Sequence, residues 1–155
     1  MFYIDVSGLI RGWDRAVRAL ADRVTRSAEV AAKEGAEFAK TFGTFKDRTG
    51  QTRRMTRGVP IIRSRWVGSA WLESRVPHAS ILDGGSRPHE IRPRPPNTVL
   101  RFIGRDGNVV FARKVNHPGT KPYGYMGAGA LKAERVLERE ARIGAKEAEA
   151  AFHSG

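Results

Sequence analysis

The chain has 155 residues, the size of one ordinary domain, with 40% hydrophobic residues and a formal net charge of +12. It has no cysteine, which excludes disulfides, thiolate metal sites and cysteine nucleophiles and fits assembly in a reducing cytoplasm. No apolar run approaches the ~18 residues of a membrane span, and MFYIDVSG lacks the basic-then-apolar pattern of a signal peptide, so a soluble protein is expected.

A single domain over 1–155 is predicted, in three segments: a long helix in 1–45, a basic β region in 46–121 and a C-terminal helix in 122–155. The charge is unevenly shared among them. Residues 1–45 carry seven basic and six acidic side chains, residues 46–121 sixteen and five, and residues 122–155 five of each. The excess sits in the middle and is mostly arginine. Such a field implies a polyanionic neighbour, or a face balanced by acidic partner surfaces.

Ser7 is placed to cap the first helix. Leu9, Trp13, Val17, Leu20, Val24, Ala28, Ala31, Gly35, Phe38 and Phe42 follow at steps of three or four, one apolar stripe on a helical period. A rod of roughly 50 Å, at ~1.5 Å per residue, is too long for a globule of this size to cover. It should pack on other subunits or bend near Gly35. Lys46 to Arg54 reads as an exposed basic loop. The period then changes to two, with Trp66, Ala70, Leu72 and Val76 on one face of an extended stretch. Arg87-Pro88-His89-Glu90-Ile91-Arg92-Pro93-Arg94-Pro95-Pro96 is expected to form an edge strand and a stiff loop, because proline donates no ladder hydrogen bond. Leu100 and Phe102, a turn over 104–108 built around Asp106-Gly107, and Val109, Phe111 and Val115 predict a hairpin. The last helix is expected from about Ala128 to Phe152. Ala133, Leu137, Ala141, Gly144 and Ala148 form its stripe, and Glu138 and Arg142 are spaced for an ion pair. The fold class is α+β: a long N-terminal helix, a small antiparallel sheet with a hairpin, and a C-terminal helix.

Catalytic and metal motifs are hard to find. His78, Asp83, His89 and Glu90 are close in sequence, but the prolines and the Gly84-Gly85 pair break the segment into turns that fix no ligand geometry. Ser69 and Ser80 lack the glycine frame of a nucleophile elbow. Gly84-Gly85-Ser86 lacks the spacing and lysine of a phosphate loop, and Gly127-Ala128-Gly129 has no supporting residues. No enzyme, cofactor or metal is expected. Arg53, Arg54, Arg57, Arg63, Arg65, Arg92, Arg94, Arg101, Arg105, Arg113 and Lys114 could contact phosphates without sequence preference. The interleaved Trp66, Trp71, Phe102 and Phe111 are expected in the core rather than as stacking platforms.

Three segments taken in order resemble the tailed-bacteriophage neck proteins, called head–tail joining, tail-completion or minor tail proteins. The first is the long amphipathic helix followed by Arg48-Thr49-Gly50. The second is Val76 to Pro88, similar to a stretch with an aromatic-alanine pair, an acidic residue, glycine and a small hydroxyl residue. His78 here replaces the aromatic, Asp83 replaces a glutamate, and Gly84-Gly85-Ser86 carries an extra glycine. The third is Val115-Asn116-His117-Pro118-Gly119-Thr120-Lys121-Pro122, a His-Pro-Gly turn leading to Tyr123, Tyr125 and the last helix. The resemblance implies a non-enzymatic virion subunit, assembled in the bacterial cytoplasm into a six-fold homo-oligomeric ring. That ring would lie between a portal-side connector or stopper and the tail tube protein, with genomic DNA in its lumen and no membrane contact. Thr49, Gly50, His78, Asp83, Gly84, Gly85, Arg87, Pro88, His117, Pro118, Gly119 and Tyr123 are then candidate contacts between subunits or rings. Arg53, Arg54, Arg57, Arg92 and Arg94 are candidates for the DNA lumen or for acidic partner surfaces. The alternative is a non-specific nucleic-acid-binding protein.

Overall fold

The computed structural model describes residues 6–47, 49–104 and 106–154. Arg48 of the Thr-Gly motif and Arg105 of the hairpin turn lie outside the described residues, as do residues 1–5 of the opening segment. The layout is the expected α+β: α1 (Ser7–Phe42), α2 (Gln51–Met55), β1 (Thr56–Ser64), β2 (Val67–Ser74), α3 (Ala79–Gly84), β3 (His89–Ile91), β4 (Leu100–Ile103), β5 (Val109–Ala112), β6 (Val115–His117) and α4 (Tyr125–His153). The contacts divide the chain into two compact units, residues 1–79 with 124–155, and residues 80–123.

In the first unit α1 and α4 run antiparallel. Gly12 meets Phe152, Arg23 lies across Gly144, and Gly35 meets Gly129 and Ala133. The helices can approach this closely because the facing positions are small. Gly35, where a bend was one expectation, lies within an unbroken helix and serves as a crossing point: a Cβ there would stand 2.8 Å from the Gly129 carbonyl oxygen. At 36 residues and ~1.5 Å per residue, α1 is about 54 Å long. Its cap position is Val6 rather than Ser7.

The hairpin β1–β2 lies over the middle of α1. Gly58 sits against the backbone of Ala32, Gly68 against Val24, and Leu72 against Gly35. Ala70 and Leu72 face inward as expected, whereas Trp66 belongs to the turn between the strands and Trp71 points outward. Strand β1 was not expected from sequence. It carries Pro60 opposite Ala70, tolerated because the sheet has only two strands and both are edges.

The interior is made of small residues. Among the described residues, nine of the thirteen buried hydrophobic residues are alanines, and only Tyr125 and Val136 are large apolar side chains that are completely enclosed. All three tryptophans are exposed, Trp13 at 65%. The expectation that Trp66, Trp71, Phe102 and Phe111 are core residues is therefore corrected: all four lie on the surface. In α4 the buried line runs through Gly129, Ala133, Val136, Glu140, Gly144 and Ala148, so Leu137 and Ala141 stand at its margin. No ion pair joins Glu138 to Arg142 among the described residues. Glu140 is paired instead, with Arg23 at 2.7 Å and Arg139 at 3.1 Å.

The second unit holds two short antiparallel ladders, β3 with β6 and β4 with β5. The proline-rich segment supplies β3 as the expected edge strand, and the β4–β5 hairpin forms around its glycine turn. Gly104 N–H donates to the Asn108 carbonyl at 2.7 Å, and Gly107 takes φ +84°. Val115 belongs to β6, not to the return arm of that hairpin.

Candidate interaction surfaces

The loop after α1 is expected to be an exposed basic segment, but much of it is tied down. Gly50, at φ +68°, precedes α2, and Thr49 Oγ1 accepts the Gln51 N–H at 3.3 Å. That turn aims Arg53 back at the end of α1. Its guanidinium donates to the carbonyls of Lys40 at 3.0 Å and Gly43 at 2.7 Å, and lies 4.8 Å from the Phe45 ring centroid. The carboxylate of Asp47 accepts the Arg53 backbone N–H at 2.9 Å. The last carbonyls of a helix have no intrahelical partners and carry partial negative charge, so a cation there satisfies both needs. Arg53 thus has a structural task as the C-terminal clamp of α1.

This arrangement gives an expected outcome. Arg53→Ala should cost about 2–3 kcal/mol, through two lost charge-assisted hydrogen bonds and the carbonyls left behind. Arg54→Ala, one residue on and exposed, should stay within about 0.5 kcal/mol. Urea unfolding of both variants checks the contrast, and equal midpoints would contradict it.

The other candidate arginines divide in the same way. Arg57 pairs with Glu73, which also meets Arg75, and Arg92 pairs with Glu90, which also meets Lys114. The hydrogen bond from Arg57 holds the Glu73 carboxyl below its ordinary range, and those from Arg92 and Lys114 do the same for Glu90. Arg54 and Arg94 are in no ion pair among the described residues and are the freest of the five.

The candidate contact residues are largely engaged within the chain. His78 Nε2 lies 3.2 Å from the hydroxyl of buried Thr52. In the second unit the Gly84-Gly85-Ser86 turn and the His-Pro-Gly turn meet each other. Ser86 N–H donates to the Thr120 carbonyl at 2.9 Å, and Thr120 N–H returns to Ser86 at 3.0 Å. Gly85 and Gly119 both have positive φ, and a Cβ on Gly119 would stand 2.3 Å from the Ser86 oxygen. Tyr123 N–H donates to the Leu82 carbonyl at 3.0 Å, which ties the segment after the turn to α3. Arg87 and Pro88 are exposed beside this junction, as is Pro118, while Asp83 is half-buried.

The His89 and His117 rings face each other across β3–β6 with centroids 5.1 Å apart. His117 Nδ1 accepts the Gly119 N–H at 3.1 Å, which leaves Nε2 as the protonated nitrogen of the neutral tautomer. Among the described residues no group of three or more His, Asp or Glu side chains could hold a metal ion.

Sequence patterning placed Leu9, Trp13 and Leu20 in a stripe expected to pack on other subunits or to bend, and the structure leaves these large members uncovered by the chain itself. Past the edge of the β1–β2 hairpin, Leu9, Ile10, Trp13 and Leu20 of α1 remain exposed. The helical stripe was legible, but its large members lie outside and the alanines between them lie inside. No protein-family model, curated protein or solved structure matches this chain. Among the described residues no helix is long and apolar enough to cross a membrane.

Proposed function

We propose that the protein is a structural subunit of a tailed-phage neck, assembling as a ring between head connector and tail and catalysing no reaction itself. The observation that carries this reading is the exposed side of the N-terminal half of α1, where Leu9, Ile10, Trp13 and Leu20 stay in solvent although α4 packs along the opposite side of the same helix. Contiguous exposed apolar surface of this kind marks a protein–protein contact. The small-residue interior points the same way, since a chain that buries alanine and exposes tryptophan completes its burial against neighbours. The resemblance of the Thr-Gly, Asp-Gly-Gly-Ser and His-Pro-Gly segments to neck proteins supplies the location. Disruption of the gene in its parent phage tests the reading. Separate filled heads and separate tails, or tails of irregular length, are expected in the lysate; intact infectious virions would contradict it.

The exposed Trp66, stacked under the Arg65 guanidinium at 4.8 Å, and the unpaired Arg54 and Arg94 favour a second reading, contact with nucleic acid. It carries a different expectation: binding to arbitrary DNA by the isolated protein that weakens steeply with salt.

A further inference from the structure

Two features in different parts of the chain are each incomplete alone. The β4–β5 hairpin is a two-stranded ribbon with no third strand on either edge among the described residues, an arrangement only marginally stable in water without further packing. One of its faces carries Ile103, Val109 and Phe111, with Ile103 61% and Phe111 64% exposed. Arg101, directly opposite Phe111 in the register, shares that face. The second feature is a groove of about 420 Å³ between β2 and α4. Its floor is Ala70, Leu72, Ala133 and Leu137, which belong to the hydrophobic cluster around Ala31 and Val136, so the core opens to solvent there. Glu134 stands on its rim.

We infer that the β4–β5 hairpin of one copy seats its Ile103–Val109–Phe111 face in the β2–α4 groove of the next copy. Charge selects this occupant: an apolar face carrying one arginine meets an apolar groove carrying one glutamate. Neither Arg101 nor Glu134 has an ion-pair partner among the described residues. A contact between two different surfaces repeats from copy to copy and closes a ring when the rotation allows, with no two-fold pairing. The inference deepens the ring reading and rests on it for closure.

The chain lacks cysteine, so introduced thiols report the contact directly. Phe111→Cys and Ala130→Cys place one thiol on the hairpin face and one in the groove, at exposed positions that leave each unit's packing intact. Mixed and mildly oxidised, the two single variants are expected to form a covalent dimer that neither forms alone. The double variant should give a ladder of covalent oligomers. Arg101→Glu should lower the cross-linking yield roughly tenfold through like-charge contact, and adding Glu134→Arg should restore it. Three results would overturn the inference. One is an internally cross-linked monomer, meaning the chain fills its own groove. Another is same-position dimers, meaning a two-fold contact. The last is no cross-link while both thiols remain titratable. Hairpin-to-groove cross-links from a protein whose loss leaves virions intact would keep this contact and remove the neck role. Unjoined heads without cross-links would do the reverse.

Discussion

Gly58→Ala is expected to destabilise the first unit by about 3 kcal/mol, the upper part of the range for overpacking a close-packed contact. The added Cβ would stand 1.9 Å from the Ala32 carbonyl oxygen and 2.3 Å from its carbon. Both atoms are backbone of α1 and cannot rotate away as a side-chain end could. Relief requires lifting β1 off the helix, which also withdraws Leu72 from Gly35 and Gly129. An opposing effect exists, because alanine restricts the unfolded chain, but it is worth only ~0.4–1 kcal/mol. The steric cost therefore wins. Gly127→Ala is the internal control, since nothing lies within 4 Å of its Cβ position inside α4. There the helical preference for alanine should stabilise by up to about 1 kcal/mol. Denaturant midpoints moving in opposite directions for the two variants is the expected result, and equal midpoints would refute the packing described here.

Glu140→Ala should cost about 3 kcal/mol, for an electrostatic reason. The Glu140 side chain is only 8% exposed and faces the Arg23 guanidinium, itself 10% exposed, at 2.7 Å. Removing the carboxylate leaves Arg23 with Glu147 alone, at 3.1 Å on a side chain nearly half exposed. A buried charge stripped of its main partner keeps its desolvation cost and loses the compensation. The contrast is Glu34→Ala. Glu34 meets Arg139 at 2.7 Å and Lys132 at 3.3 Å, and the Arg139 hydrogen bond holds its carboxyl below the ordinary range. It is solvated, however, and such pairs contribute under about 1 kcal/mol. Replacing both members of the buried pair, Arg23→Met with Glu140→Leu, should recover most of the loss, since an apolar pair leaves no charge stranded. Failure of that double variant to recover would mean that the pair sets the helix register.

Much of the fold was legible because it rests on local periodicity. The 36-residue α1 follows from a stripe at steps of three and four, and the β4–β5 hairpin from an Asp-Gly turn between apolar arms. What escaped was information carried by partners. Strand β1 was hidden because Thr56–Ser64 contains a glycine, a proline and two arginines. Its register becomes sensible only once Gly58 is laid on Ala32. Periodicity also could not tell which side of an amphipathic helix is covered. In α1 the covered side is the alanine and glycine line, because a second helix and a hairpin pack closely there, and Trp13 is left outside. Arg53 looked like its neighbour Arg54 in sequence. Only the left-handed Gly50 and the position of the α1 terminus separate a clamp from a free side chain. The two glycine turns of the second unit were both noticed as motifs, but nothing local announced that they bond to each other through Ser86 and Thr120.

The most direct test of the proposed neck role is electron microscopy of lysates from a parent phage in which the gene is disrupted, complemented with either the natural protein or Trp13→Glu. Trp13 is exposed in the single chain, so this variant should remain folded and change only the surface proposed for assembly. The expected result is joined, infectious virions with the natural protein and unjoined heads and tails with Trp13→Glu. Full rescue by a folded Trp13→Glu variant would contradict the assignment of this helix face to assembly, and virions unaffected by the disruption itself would contradict the neck role.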